Sequence, residues 1–374
     1  MPSDQFTETT RQSWFSRLGG ALKGILVGLI LVLVAMVLIF WNEGRAVQTA
    51  RSLAEGAGQV RSVDAARPDP ALEGRLVHVA APVRAGPPPA DAELGVTAPG
   101  GTLRLIRRVE MFQWREEQQS ETRTALGGGT ETVTTYRYSR AWAEGRIDSS
   151  RFRQPDNHQN PEPRHAGASW TAAEARLGGF RLAPAQLEGL AAEEALAPPA
   201  AYNTQGNVLF LGANPQAPRI GDLRITWRIA QPEALSVVAA QRGEGFAPFA
   251  TRAGDALFML VPGQVPAAEI FAQAEAANVM LTWLLRLAGF VLMLAGWGMV
   301  LRPLKVLADV LPPVGAVVGF GTGLVALVLT LVLAPTLIAI AWLFYRPIVA
   351  LAVLAVGLGA AFAVTRLWRR AMPA

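Results

Sequence analysis

The chain has 374 residues, 51% of them hydrophobic and 17% charged, with a formal net charge of +5 and no cysteine. Disulfides and thiolate metal sites are therefore excluded. The arginines are scattered along strand-like segments instead of gathering on one face, which speaks against nucleic-acid binding. Three histidines, His78, His158 and His165, leave little for metal binding or acid–base work, and no cofactor or metal set is read from them.

The stretch GILVGLILVLVAMVLIFW, residues 24–41, is free of charge and proline. At 1.5 Å per residue it makes a helix of roughly 27 Å, close to the hydrocarbon thickness of a bilayer. Its apolar core is longer than a signal-peptide core, and its Ile-Phe-Trp end does not suit cleavage, so it reads as an uncleaved anchor. Residues 1–23 before it form a polar tail with Arg11, Arg17 and Lys23. Trp41 stands where an interfacial aromatic belongs, and Asn42, Glu43 and Arg45 mark the return to water.

Residues 42–280 form the large water-facing segment. The helix of the first span is expected to continue over 45–58 and to end near Gly56 or Gly58. Residues 76–83 read as a strand. LRLIRRVEMFQWR, residues 103–115, alternates, with an irregularity at 106–108 where a bulge would fit. Residues 130–142 supply its partner, and Gly127-Gly128-Gly129 the tip of a long hairpin. An Ala/Leu/Glu-rich stretch predicts a helix near 185–195. Further strands are expected at 208–211, 223–229, 235–241 and 256–261. Pro266 opens a helix that runs on into the next span. The strand groups 75–142 and 208–261 each contain a strand ending in Trp-Arg, FQWR and ITWR, which allows for two related β units. P-loop, GxSxG, HExxH and CxxC patterns are missing from the sequence.

Three more spans follow at 281–301, 316–342 and 348–365. Arg286 lies about one turn inside the second and is expected to snorkel to the interface. Gly20, Gly24 and Gly28, and again Gly315, Gly319 and Gly323, repeat every four residues. Such faces let helix backbones approach closely, either within one bundle or between copies. Basic residues of the N-terminal tail, of the 302–305 linker and of the C-terminal tail (Arg366, Arg369, Arg370) fall on one side in a four-span layout. The termini are then cytoplasmic, residues 366–374 being the C-terminal tail. The expected fold is an α+β membrane protein with one N-terminal and three C-terminal transmembrane helices. A large β-rich extracytoplasmic or lumenal domain is inserted between the first and second.

NEGRAVQTARSLAEG (42–56), EGRLVHVAAPVR (73–84), RRVEMFQWRE (107–116) and HQNP (158–161) carry a likeness, in this order. GDLRITW (221–227), VVAAQRG (237–243) and WLFYRP (342–347) continue it. The chain resembles the family of transmembrane protein 43, also called LUMA. The resemblance implies the same four-span layout. It also implies a place in the endoplasmic reticulum and inner nuclear membrane of animals, with nuclear-envelope organisation, self-association and binding to emerin and lamins. A channel role has also been proposed for the family. It supplies no established catalytic residues. Asn42, Glu43, Gly44 and Arg45, and Phe344, Tyr345, Arg346 and Pro347, match its most recognisable segments. The near absence of lysine and the Ala/Arg/Pro bias resemble a high-GC bacterial genome, which would place the large domain in the periplasm. The expected function is a non-enzymatic organiser of membrane protein complexes. Its expected partners are further copies of itself, other membrane proteins and the lipid bilayer. An ion channel is the alternative, and a hydrolase, for which Glu43 and the histidines are the only candidates, a lesser one.

Overall fold

The computed structural model describes residues 4–199, 204–348, 351 and 355. The expected fourth span and the C-terminal tail lie outside these residues, apart from Ile348, Leu351 and Ala355. The chain divides into two units. One comprises Met1–Glu8, Ser52–Glu121 and Val133–Gln273, the other Thr9–Arg51, Thr122–Thr132 and Ala274–Ala374.

The principal elements in chain order are β1 (Gln5–Gln12), α1 (Trp14–Gln59), β2 (Leu76–Ala85), β3 (Arg104–Thr124) and β4 (Thr130–Glu144). They are followed by β5 (Val208–Leu211), β6 (Leu223–Ala230), β7 (Ala234–Arg242) and β8 (Met259–Pro262). Two long helices, α2 (Ala267–Ala308) and α3 (Pro312–Tyr345), come last. The residues read as a polar tail hold a strand, and α1 begins at Trp14 instead of Gly24.

The first unit is built on two sheets. In the larger, the order β1-β4-β3-β6-β5 places strands of the two sequence groups side by side. Its inner face packs Leu105, Val109, Met111, Leu209, Leu223, Ile225, Trp227 and Ile229 into one core. In the smaller, β7 pairs with both β8 and β2, and short strands at Gly245–Ala247, Phe180–Leu182 and Ala175–Leu177 lead from β7 back to β2, so that the pairings close a ring. Val77, Val79, Leu177, Phe180, Leu235, Val237 and Phe246 fill its interior. Because β3 pairs with β6 and β2 with β7, the groups 75–142 and 208–261 build shared sheets.

Two sequence expectations change here. The bulge near 106–108 is absent: β3 pairs with β6 without a break from Arg104 opposite Ala230 to Met111 opposite Leu223. The alternation is in fact complete, because Arg107 takes the inward position between Leu105 and Val109 and is buried. Its guanidinium grips both oxygens of Asp91 at 2.9 and 3.0 Å, Glu93 at 2.6 Å and the carbonyl of Ala166 at 2.9 Å. Trp227 Nε1 donates to the same Asp91 at 3.0 Å. The predicted helix at 185–195 shrinks to Pro184–Leu187, and Glu194–Leu196 is a strand paired with β6. Pairing to an available sheet edge outweighs a helical propensity of a few tenths of a kcal/mol per residue.

The second unit holds the apolar parts of α1, α2 and α3, which are three helices long and apolar enough to cross a membrane. α1 continues without interruption through Asn42–Arg45. The expected spans 281–301 and 316–342 lie inside α2 and α3. Helices α1 and α2 cross where Gly28 meets Gly296: a Cβ on Gly28 would stand 2.6 Å from the Gly296 carbonyl oxygen. Val32, Ala35 and Ile39 of α1 and Met293 of α2 bury the rest of this seam. The hairpin tip, Thr122–Thr132, expected in the water-facing segment, belongs to this unit together with the N-terminal Thr9–Gln12.

Candidate functional site

Three helices bring polar side chains together at one end of the second unit, just beyond the apolar stretch of α1. On α1 they are Asn42, Glu43 and Arg45. On α2 they are Asn278, Thr282 and Arg286, each four residues from the next and so on one helix face. On α3 it is Trp342. Glu43 is at the centre. Arg286 donates to both of its oxygens, Nε at 2.6 Å and Nη2 at 2.9 Å, and Trp342 Nε1 donates to one of them at 2.9 Å. The Glu43 side chain is 3% exposed and that of Arg286 16%. The Arg286 guanidinium also lies over the ring of Trp283, 4.7 Å from its centroid.

A second layer fixes the register of α1 on α2. Asn42 Nδ2 donates to the carbonyl of Thr282 at 3.0 Å, and Asn278 Nδ2 to that of Ala46 at 3.0 Å. Arg45 donates to Asn278 Oδ1 at 2.9 Å and to Thr282 Oγ1 at 3.0 Å. A cavity of about 440 Å³ opens beside these groups, lined by Glu43, Asn278, Thr282, Trp283, Arg286 and Trp342 among others.

The two family-like segments, almost 300 residues apart in the chain, meet here. Gly44 lies against the ring of Tyr345, where a Cβ would come within 2.7 Å of Cζ. Phe40 packs on Phe344 and Tyr345, with centroids 5.8 and 5.5 Å apart, and Arg51 Nη2 donates to the Tyr345 carbonyl at 2.7 Å. Arg346 borders the cavity and caps α3 by donating its N–H to the Trp342 carbonyl at 2.8 Å. Pro347 follows it directly. Arg286, expected to snorkel, is instead held in a buried ion pair. A lone arginine in an apolar helix keeps its charge at a cost that it lowers by reaching toward water, whereas a facing, hydrogen-bonded carboxylate offsets that cost in place. The four-residue spacing of Asn278, Thr282 and Arg286 was the available signal. It named the face but not the partner.

The glycine candidates separate. Gly28 makes the close crossing with α2, and Gly24 only touches Met299. Gly315 abuts Asp309, and Gly319 the Lys305 side chain. Among the described residues, a Cβ on Gly20 or Gly323 would meet nothing within 4 Å beyond its own helix backbone.

The histidines are dispersed in the first unit. His78 bonds Ser62 Oγ at 3.0 Å and the Val265 carbonyl at 2.9 Å. His158 stacks on Tyr138 at 3.8 Å and bonds Asp4 at 2.8 Å. His165 bonds Glu93 at 2.5 Å. Two of these contacts border titrating groups. The His165 hydrogen bond, and then that of Arg107, hold the Glu93 carboxyl below its usual range. Burial, and then the carboxylate of Glu116, push the Tyr138 phenol up to about 12. Among the described residues no three His, Cys, Asp or Glu side chains group as metal ligands would.

Residues 111–347 match the model of a family described as transmembrane protein 43. The chain is 33% identical over 361 residues to transmembrane protein 43 of Mus musculus, covering 91% of this chain and 89% of that one. The same identity holds for the Homo sapiens protein, over 92% and 90% of the two chains. The transmembrane protein 43 homolog of Drosophila melanogaster is 28% identical over 364 residues, 94% of each chain. No solved structure matches.

Proposed function

The chain belongs to the transmembrane protein 43 family, and we propose that it is a non-enzymatic, multi-pass membrane protein that organises other membrane proteins into complexes. The observation that carries this reading is the state of Glu43. A carboxylate only 3% exposed, at the meeting point of the two family-like segments, spends both oxygens on Arg286 and Trp342. A general base or nucleophile needs a free lone pair aimed at a substrate. A carboxylate gripped from two helices instead ties them together. The cluster supports a rigid membrane anchor, and the two-sheet unit supplies the surface for partners.

Cross-linking in the native membrane, followed by purification and identification of everything attached, tests the reading. Defined membrane proteins at fixed stoichiometry are the expected recovery. A strictly monomeric protein with nothing attached would overturn it.

A further inference from the structure

The cavity beside the Glu43 cluster offers chemistry that the cluster itself does not use. Its walls come from all three helices of the second unit. Ala46 and Ala50 of α1 are small and leave it open. α2 supplies Glu275, Asn278, Thr282 and Trp283, and α3 supplies Trp342 and its C-capping residue Arg346. At about 440 Å³ the cavity falls in the range that holds small ligands, roughly 300–1,000 Å³.

Most polar atoms around it are already engaged. Glu43 is held by Arg286 and Trp342. Asn278 and Thr282 accept from Arg45, and the Thr282 hydroxyl donates to the Asn278 carbonyl at 2.7 Å. The Arg286 guanidinium lies over the Trp283 ring. Two charges are left over. Glu275 and Arg346 are exposed and line this same cavity, and among the described residues neither side chain has an ion pair or hydrogen bond. With Glu43 and Arg286 cancelling, the cavity is neutral as a whole, yet it presents one free carboxylate and one free guanidinium. A zwitterion answers both. A phosphate suits the planar fork of guanidinium donors, and a protonated amine donates to a carboxylate. A quaternary ammonium has no N–H for Glu275 and would depend on an aromatic face, and that of Trp283 already carries Arg286.

The setting makes the ligand a lipid. The cavity lies just beyond the apolar stretch of α1, with two tryptophans in its wall, as at the headgroup level of a bilayer. Val279 and Trp283 of that wall begin a stripe that continues through Leu287 and Val291, on one face of α2, each more than half exposed. From Val279 to Val291 the helix rises about 18 Å, a little over half of the hydrocarbon core of about 30 Å. The stripe is thus one leaflet long and starts at the free charges. We propose that the cavity holds the phosphoethanolamine headgroup of a single phospholipid. Its phosphate lies on Arg346, its ammonium on Glu275, and one acyl chain follows the stripe of Val279, Trp283, Leu287 and Val291. The proposal goes beyond the organiser reading and does not depend on it.

Native mass spectrometry of the full chain in detergent tests it. The protein, stripped of copurifying lipid, is offered phosphatidylethanolamine, phosphatidylcholine and phosphatidylglycerol with identical acyl chains. One phosphatidylethanolamine should be retained, about tenfold more tightly than either of the others. Arg346→Gln and Glu275→Gln remove the two free charges without touching the Glu43 pair. Each should weaken retention about tenfold and leave thermal unfolding in lipid-free detergent unchanged. Glycerophosphoethanolamine, the headgroup without its chains, should not displace the lipid at equal concentration. Equal retention of the three lipids, unchanged retention by either variant, a loss of retention only in step with a loss of stability, or displacement by the free headgroup would each overturn the proposal. Capture of partner proteins, or its absence, bears on the organiser reading alone.

Discussion

Two arginines paired to buried carboxylates, one in each unit, show how differently the same chemistry is announced. Arg107 lies in a strand and Arg286 in an apolar helix, and each donates to both oxygens of a carboxylate less than 5% exposed, Arg107 through Nη1 alone and Arg286 through Nε and Nη2. Arg107 finds Asp91 only 16 residues away, across a short loop. Arg286 finds Glu43 at a separation of 243 residues. In the strand, a period of two makes an inward charge look like a fault in the pattern, and the fault marks the residue. In the helix, an arginine near the end of an apolar run has a cheap alternative, reaching back to water, and the pattern shows no fault. The lesson is that a break in alternation deserves to be read first as a buried charge and only then as a bulge.

This comparison is open to tests, of which Glu43→Gln has the largest expected effect. It leaves the Arg286 charge, 16% exposed, without its carboxylate, and a buried pair broken on one side costs about 3–5 kcal/mol. Thermal unfolding of the detergent-solubilised protein should show the loss. The double change Glu43→Gln with Arg286→Met should regain a large part of it, whereas a purely local role of Glu43 would leave the two losses additive. Asp91→Asn comes next. It keeps an acceptor for the Trp227 indole, and Glu93 still faces Arg107, so a smaller loss of about 2–3 kcal/mol is expected. A loss as large as that of Glu43→Gln would show that Glu93 shares none of the Arg107 charge.

The smallest effect concerns pH. The carboxyl of Glu93 is held below its usual range by His165 and Arg107. A depressed carboxylate contributes stability that is complete above its unfolded pKa, near 4.5, and lost as pH falls through the lower folded value. Stability should therefore decline below about pH 4.5, and less steeply in Glu93→Gln. Equal acid sensitivity of the two proteins would remove Glu93 from the account.

Much of the architecture was legible in the residues. The apolar run of 24–41 requires a helix of bilayer length, and the strands at 76–83, 103–115, 130–142 and 223–229 follow from alternation, a local property of the pleat. The family-like segments 42–45 and 344–347 were marked as interfacial, and they do converge. Other features were out of reach for physical reasons. The helix expected at 185–195 gave way because a strand edge of β6 lay open to Glu194–Leu196, and an edge is a tertiary object.

The sequence by itself determined which segments are apolar, which are strands, and that the chain is an integral membrane protein, because burial period and span length are written in neighbouring residues. Only the tertiary structure decided that Glu43 faces Arg286 and Trp342, that Gly28 crosses α2 at Gly296, and that the hairpin tip is seated between Trp14 and Val310. Each of these joins residues more than 100 positions apart. Partner choice at such distances is set by the packing of whole elements, which local pattern does not encode.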